Sequence, residues 1–88
     1  MSGPPVTLYV TDWCPYCQRA KNLLTEKGLA FNEINVDDEP KFREEMIARS
    51  SRRTVPQIFI GEQHVGGCDD LFALEQSGEL DRLIQGAG

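Results

Sequence analysis

Two cysteines with two residues between them, in the run Trp13-Cys14-Pro15-Tyr16-Cys17, constrain this chain more than any other feature. They follow a short β-branched and aromatic run, Val6-Thr7-Leu8-Tyr9-Val10, that predicts a buried strand. Pro15 suits the first turn of a helix, where its missing N–H is no loss and its φ is already set. Cys17, Ala20, Leu23 and Leu24 then recur at helical spacing, with Arg19, Lys21 and Lys27 expected in solvent and Gly28 as a left-handed stop. The pair therefore sits at a strand-to-helix junction. The chain has three cysteines, too few and of the wrong parity for a secreted disulfide framework. Met1-Ser2-Gly3-Pro4-Pro5 shows no charged segment leading into an apolar one, so the expected compartment is the cytoplasm, where thiols stay reduced unless they do chemistry. A close pair is then catalytic or metal-binding.

The remaining elements follow in order. Phe31 to Val36 reads as a second strand, and Asp37-Asp38-Glu39-Pro40 as an acidic helix start, with Phe42, Met46 and Ile47 as the helix's apolar stripe, ending near Ser50-Ser51. Gln57 to Ile60 predicts a third strand, and Gly61-Glu62 turns it into an antiparallel fourth, Gln63 to Val65. Gly66-Gly67 breaks that strand, Asp69-Asp70 opens a helix that Gly78 ends or kinks, and Leu80, Leu83 and Ile84 form a last short one. The order βαβα followed by ββα demands a parallel pair with a right-handed crossover and then a hairpin, which is an α/β fold. Tyr9 and Phe59 read as core, and His64 as a surface residue of the hairpin.

The chain's 88 residues make one domain over 1–88, with 1–5 expected as a flexible lead-in. A domain of that size buries only about 60–65% of its unfolded surface, so its core is single and thin. No apolar run approaches the roughly 18–20 residues of a membrane span. Nine Lys and Arg against 14 Asp and Glu give a net charge of −5, which opposes nucleic-acid and anionic-membrane partners.

Thiol–disulfide exchange needs a thiolate nucleophile and a nearby thiol to resolve the mixed disulfide. At a helix N-terminus, unpaired N–H groups and the dipole favour negative sulfur, which assigns attack to Cys14. Cys17, one turn deeper, resolves. A metal site built from Cys14, Cys17, Cys68 and His64 is the competing reading. It lacks a second paired-ligand spacing, and Pro15-Tyr16 stiffens a helix start instead of a metal knuckle. No metal site is expected.

Three motifs in order, Trp13-Cys14-Pro15-Tyr16-Cys17, Thr54-Val55-Pro56-Gln57-Ile58-Phe59-Ile60 and Gly66-Gly67-Cys68-Asp69-Asp70-Leu71, resemble a dithiol glutaredoxin of the short bacterial type. The likeness runs from about Val6 to Leu83. It implies a thioredoxin-like fold, a four-stranded mixed sheet flanked by helices. It also implies glutathione as reducing co-substrate with no tightly bound cofactor. Pro56 is implied to be cis, leaving the Val55 backbone facing the Cys14 sulfur, where it can hold an extended peptide by strand-like bonds. Gly67 lets a backbone approach closely. The N–H groups of Cys68 and Asp69 offer a carboxylate site, while Asp69 or Asp70 holds an ammonium or caps the helix. Tyr16 is implied to wall the pocket, beside Thr54. Cys68 reads as a small buried thiol whose backbone matters more than its sulfur, and Trp13 as a packing residue, with a shield for Cys14 or a contact for a protein substrate as its alternatives.

One position departs from the pattern. Where the family commonly carries a lysine, three residues before the first cysteine, this chain has Thr11, followed by Asp12. Weaker glutathione binding or a less acidic Cys14 thiol is expected. Arg43, aligned with a polar glutathione-binding position of the family, is the compensating cation carried into the site; Arg52 and Arg53 are the alternatives, with Arg52 weighed as an ordinary surface charge. The implied partners are glutathione and glutathionylated or disulfide-bonded proteins, with ribonucleotide reductase a candidate by family alone; nothing requires more than a monomer. An iron–sulfur carrier, two protomers bridging a cluster through Cys14 and glutathione, is the alternative function, disfavoured by Pro15 and Cys17. A redoxin reduced by thioredoxin reductase would carry a different signature from Gly66-Gly67-Cys68-Asp69-Asp70.

Overall fold

Alternation along β1 (Val6–Val10) decides how the domain is layered. Val6, Leu8 and Val10 face one side of the sheet and Tyr9 the other, as the two-residue period of a strand requires. The computed structural model of the chain describes residues 4–85. Helix α1 (Pro15–Glu26) crosses over to β2 (Asn32–Asn35), which lies parallel to β1; α2 (Pro40–Ser50) leads to β3 (Gln57–Ile60), antiparallel to β1. Strand β4 (Gln63–Gly66) closes the hairpin, and α3 (Cys68–Ser77) and α4 (Glu79–Gln85) follow. The four strands are ordered β2-β1-β3-β4, the mixed sheet expected.

Two cores result. On one face Leu8, Val10, Ile58 and Ile60 meet Cys17, Ala20 and Leu24 of α1, Leu71 of α3 and Leu80 of α4. On the other, Tyr9 and Phe59 meet Val36 and Met46, with Phe42 and Ile47 of α2 packed against them. Tyr9 and Phe59 cross edge-to-face at 5.8 Å. The Tyr9 hydroxyl donates to Glu45 and accepts from Arg49, so its polar end is satisfied. Among the described residues no helix is long and apolar enough to cross a membrane.

Three expectations are corrected. The second strand is shorter than Phe31 to Val36: pairing runs only from Asn32 opposite Thr7 to Asn35 opposite Val10, although the Val36 N–H still reaches the Val10 carbonyl at 3.0 Å. Lys27 is not in solvent. Its Nζ lies 2.7 Å from Glu75 and 2.8 Å from Asp81, tying the end of α1 to α3 and α4. Those acids lie some fifty residues on, beyond the reach of helical periodicity. His64 is half-buried, its ring 4.9 Å from that of Phe59. Of the expected flexible lead-in, the Pro5 carbonyl accepts from the Gly61 N–H at 2.7 Å, and residues 1–3 lie outside the described residues.

Candidate active site

Both thiols are placed by the same short stretch of backbone. Cys14 is the N-cap of α1, in extended conformation, and its sulfur accepts from the Cys17 N–H at 3.1 Å. This bond satisfies one of the donors a helix start leaves open, and directs it at the sulfur that is to carry negative charge. Cys14 is half-buried, whereas Cys17 is 1% exposed, packed with Ala20 and Leu24. Burial, and then a hydrogen bond to Cys14, push the Cys17 thiol up to about 12. Cys17 thus keeps its proton while Cys14 meets the substrate.

That shift has a measurable sign. The folded chain holds the Cys17 proton more tightly than the unfolded chain, whose thiol titrates near 8.5. The stability it contributes is complete below that pH and is lost as pH rises towards about 12. Stability measured by denaturation between about pH 8.5 and about 11 is expected to fall more steeply for the wild type than for Cys17→Ser. Tyr9 and Cys68, also raised by burial, contribute equally to both proteins, so identical slopes would contradict this account of Cys17.

The Val55–Pro56 peptide is cis. Antiparallel pairing between β1 and β3 stops at Gln57, so the backbone of Val55 lies beyond the ladder, and its carbonyl is 3.9 Å from the Cys14 sulfur. From there a groove of about 240 Å³ runs between Thr54, Val55, Pro56 and Gln57 on one side and Gly67, Cys68, Asp69 and Asp70 on the other, with Tyr16 and Arg52 at its edge. Tyr16 is 55% exposed. The first helical bond of α3 runs from the Leu71 N–H to the Gly67 carbonyl at 3.0 Å, so the N–H groups of Cys68, Asp69 and Asp70 precede it. The N-cap is Gly67, which has no side chain to accept from them. Asp70 instead folds back to accept from the Gly67 N–H at 2.9 Å and from Arg52 at 3.3 Å. These two donors, the backbone N–H first, hold its carboxyl below the usual range. Asp69 makes neither bond and is exposed.

Eight of the nine residues expected to bind glutathione therefore line one groove, and Arg43 does not. Arg43 pairs with Asp37 at 3.1 Å and lies with Arg53 in a separate groove against Val36, Pro40 and Ile47. The arginine that does line the groove is Arg52, an alternative cation whose sequence context favours plain surface charge. Helix α2 carries Arg43 to the face where it meets Asp37, while Arg52, just past the helix end, is drawn across by Asp70. Gln57 was also missed. The signal was present: a polar residue opening an apolar strand, and it is fully buried. Trp13 does not pack; it is 96% exposed. Beside Thr11, which stands where the family commonly carries a lysine, Asp12 accepts from Asn35 at 2.6 Å. A larger groove of about 600 Å³ lies at the far end of β1, against Pro5, Val6, Leu29 and Phe31, but no thiol or charged group lines it. Among the described residues no three of His, Cys, Asp and Glu are grouped to hold a metal ion.

A half-exposed sulfur held by its own helix start, with a protonated thiol one turn behind it, is arranged to trade disulfides in two steps. Together with the α/β sheet that carries it, this defines a thiol–disulfide oxidoreductase of thioredoxin-like fold. The family model for glutaredoxins matches residues 6–65. A glutaredoxin of Pseudomonas aeruginosa is 58% identical over 81 residues, 92% of this chain and 96% of that protein. The solution structure of a glutaredoxin from Brucella melitensis superposes with a TM-score of 0.87 at 53% identity, covering 100% of this chain and 96% of its own. A crystal structure of a buckwheat glutaredoxin–glutathione complex has a TM-score of 0.84 at 30% identity, covering 92% of this chain and 76% of its own. The chain belongs to the glutaredoxin family, glutathione-dependent thiol–disulfide oxidoreductases.

Proposed function

We propose that the protein removes glutathione from glutathionylated proteins by a one-thiol route and reduces protein disulfides by a two-thiol route. In the first, the Cys14 thiolate attacks the glutathione sulfur of a mixed disulfide. A bond forms between Cys14 and glutathione, the bond to the protein sulfur breaks, and the protein thiolate leaves and takes up a proton. A second glutathione thiolate then attacks the glutathione sulfur on Cys14, giving glutathione disulfide and freeing the Cys14 thiolate. In the second route Cys14 opens a protein disulfide and Cys17 attacks the Cys14 sulfur. The proton of the Cys17 thiol is transferred as the second protein thiolate departs. Two glutathiones then reduce the Cys14–Cys17 disulfide and are oxidised to one glutathione disulfide.

The observation that carries this reading is the Val55 carbonyl, 3.9 Å from the Cys14 sulfur and at the head of a groove lined by open helix N–H groups. Val55 offers strand-like bonds to the cysteinyl residue of glutathione. The N–H groups of Cys68 and Asp69 receive the γ-glutamyl carboxylate, and Asp69, which Arg52 leaves free, receives the ammonium. Arg52 is the cation within reach of the glycyl carboxylate, and Tyr16 forms the wall. The solved complex of buckwheat glutaredoxin with glutathione supports glutathione as the ligand. Protein substrates are glutathionylated or disulfide-bonded proteins, ribonucleotide reductase being a candidate the family implies, in the reducing cytoplasm where glutathione is available. The test is steady-state reduction of a glutathionylated peptide by wild-type protein. Turnover that depends on glutathione and saturates in the peptide is expected; no turnover with glutathione would overturn the reading.

A further inference from the structure

Behind the Thr54-Val55-Pro56 segment runs a chain of side chains that neither route uses. Gln57, 0% exposed, opens β3. Its Nε2 donates to the Thr54 carbonyl at 2.9 Å and to the Thr54 hydroxyl at 3.2 Å. A carbonyl oxygen only accepts, so the amide nitrogen faces Thr54 and Oε1 faces the opposite way. There Oε1 meets His64 Nε2 at 2.7 Å. An amide oxygen also only accepts, so Nε2 carries the ring proton. Burial, and then Arg52, lower the pKa of His64, which favours the neutral ring. Contact with Phe59, at 4.9 Å between rings, fixes the plane of the imidazole.

We propose that His64 is a positioning residue: through Gln57 it anchors the Thr54 carbonyl, and so sets Val55 against Cys14 and a bound glutathionyl group. This role rests on the function proposed above. Thr54 and Val55 both line the groove, and the Val55 carbonyl lies 3.9 Å from the nucleophilic sulfur. With the ring N–H gone, Oε1 of Gln57, a residue with no exposed surface, faces no donor. The amide must then turn, and Thr54 loses its anchor.

The chain has a single histidine, so the nitrogen spectrum of its ring can be read on the resting wild-type protein. A protonated Nε2 beside a bare Nδ1 is expected, and the opposite or an averaged tautomer would overturn the bond. Kinetics with a glutathionylated peptide then separate positioning from packing. His64→Phe keeps the contact with Phe59 and removes the N–H; KM is expected to rise roughly tenfold with kcat within about twofold. His64→Gln, which can present an N–H at the same reach, is expected to return KM to within about threefold of wild type. An unchanged KM in His64→Phe, or equal impairment of both variants, would overturn the role. Should His64→Phe not fold, the ring spectrum and the KM of His64→Gln decide. Absence of glutathione turnover in the wild type would defeat the proposed function instead, leaving the ring spectrum to judge the bond alone.

Discussion

Cys14→Ser is expected to lose both reactions, by at least roughly a thousandfold, the scale on which removal of a nucleophile acts. A serine hydroxyl in the same place accepts the Cys17 N–H as the sulfur does, so the fold is retained and only the chemistry is lost. Cys17→Ser separates the two routes. Removal of glutathione from a peptide persists, because that exchange passes through Cys14 alone. Reduction of a protein disulfide falls to the level that glutathione itself supports, because no second protein thiol resolves the Cys14 mixed disulfide. Since Cys17 is buried among Ala20 and Leu24, its serine variant also loses about 1–2 kcal/mol of stability, and activities are to be compared below its melting range. Steady-state rates on the two substrates check this. Loss of both reactions in a folded Cys17→Ser protein would contradict the one-thiol route.

Gly66→Ala is the second large effect. Gly66 has φ +122, a conformation L side chains rarely adopt, and a Cβ there would stand 2.2 Å from Asp70 Oδ2 and 2.9 Å from Asp70 Cβ. Relieving the clash by rotating Asp70 breaks its bonds to the Gly67 N–H and to Arg52 together. The expected destabilisation is about 3 kcal/mol, a fall in Tm of roughly 15 °C for a domain of this size, with KM for the glutathionylated peptide raised in what remains folded. Gly78→Ala is the control: φ is +83 but nothing lies within 4 Å, so only the backbone strain of about 1 kcal/mol applies. Equal losses for the two variants would show that steric conflict with Asp70 is not what requires glycine.

The elements were legible because local pattern decides them. Pro15 and Gly28 bracket α1, Val6 to Val10 alternates between two cores, and Gln57 to Ile60 is buried throughout. The groove was legible in its backbone parts, since Val55, Gly67 and the start of α3 follow from motif order. Side chains whose partners lie far along the chain were not. Arg52 reaches Asp70 eighteen residues on, Lys27 reaches α3 and α4, and His64 turns inward because Gln57 has an acceptor to satisfy. Nothing local separates those residues from solvated ones. Trp13 failed for the opposite reason: an aromatic residue reads as core, but at 96% exposure it stands in a loop that no element covers.

The central claim is that the groove between Thr54–Gln57 and Gly67–Asp70 holds glutathione on Cys14. The most direct measurement is the change in backbone amide shifts when Cys17→Ser protein is converted to its Cys14–glutathione mixed disulfide. The account predicts that the largest changes beyond the 14–17 motif fall at Val55, Cys68 and Asp69. Changes centred on Asp37, Arg43, Ile47 and Arg53, with those three unmoved, would put glutathione in the other groove and contradict it.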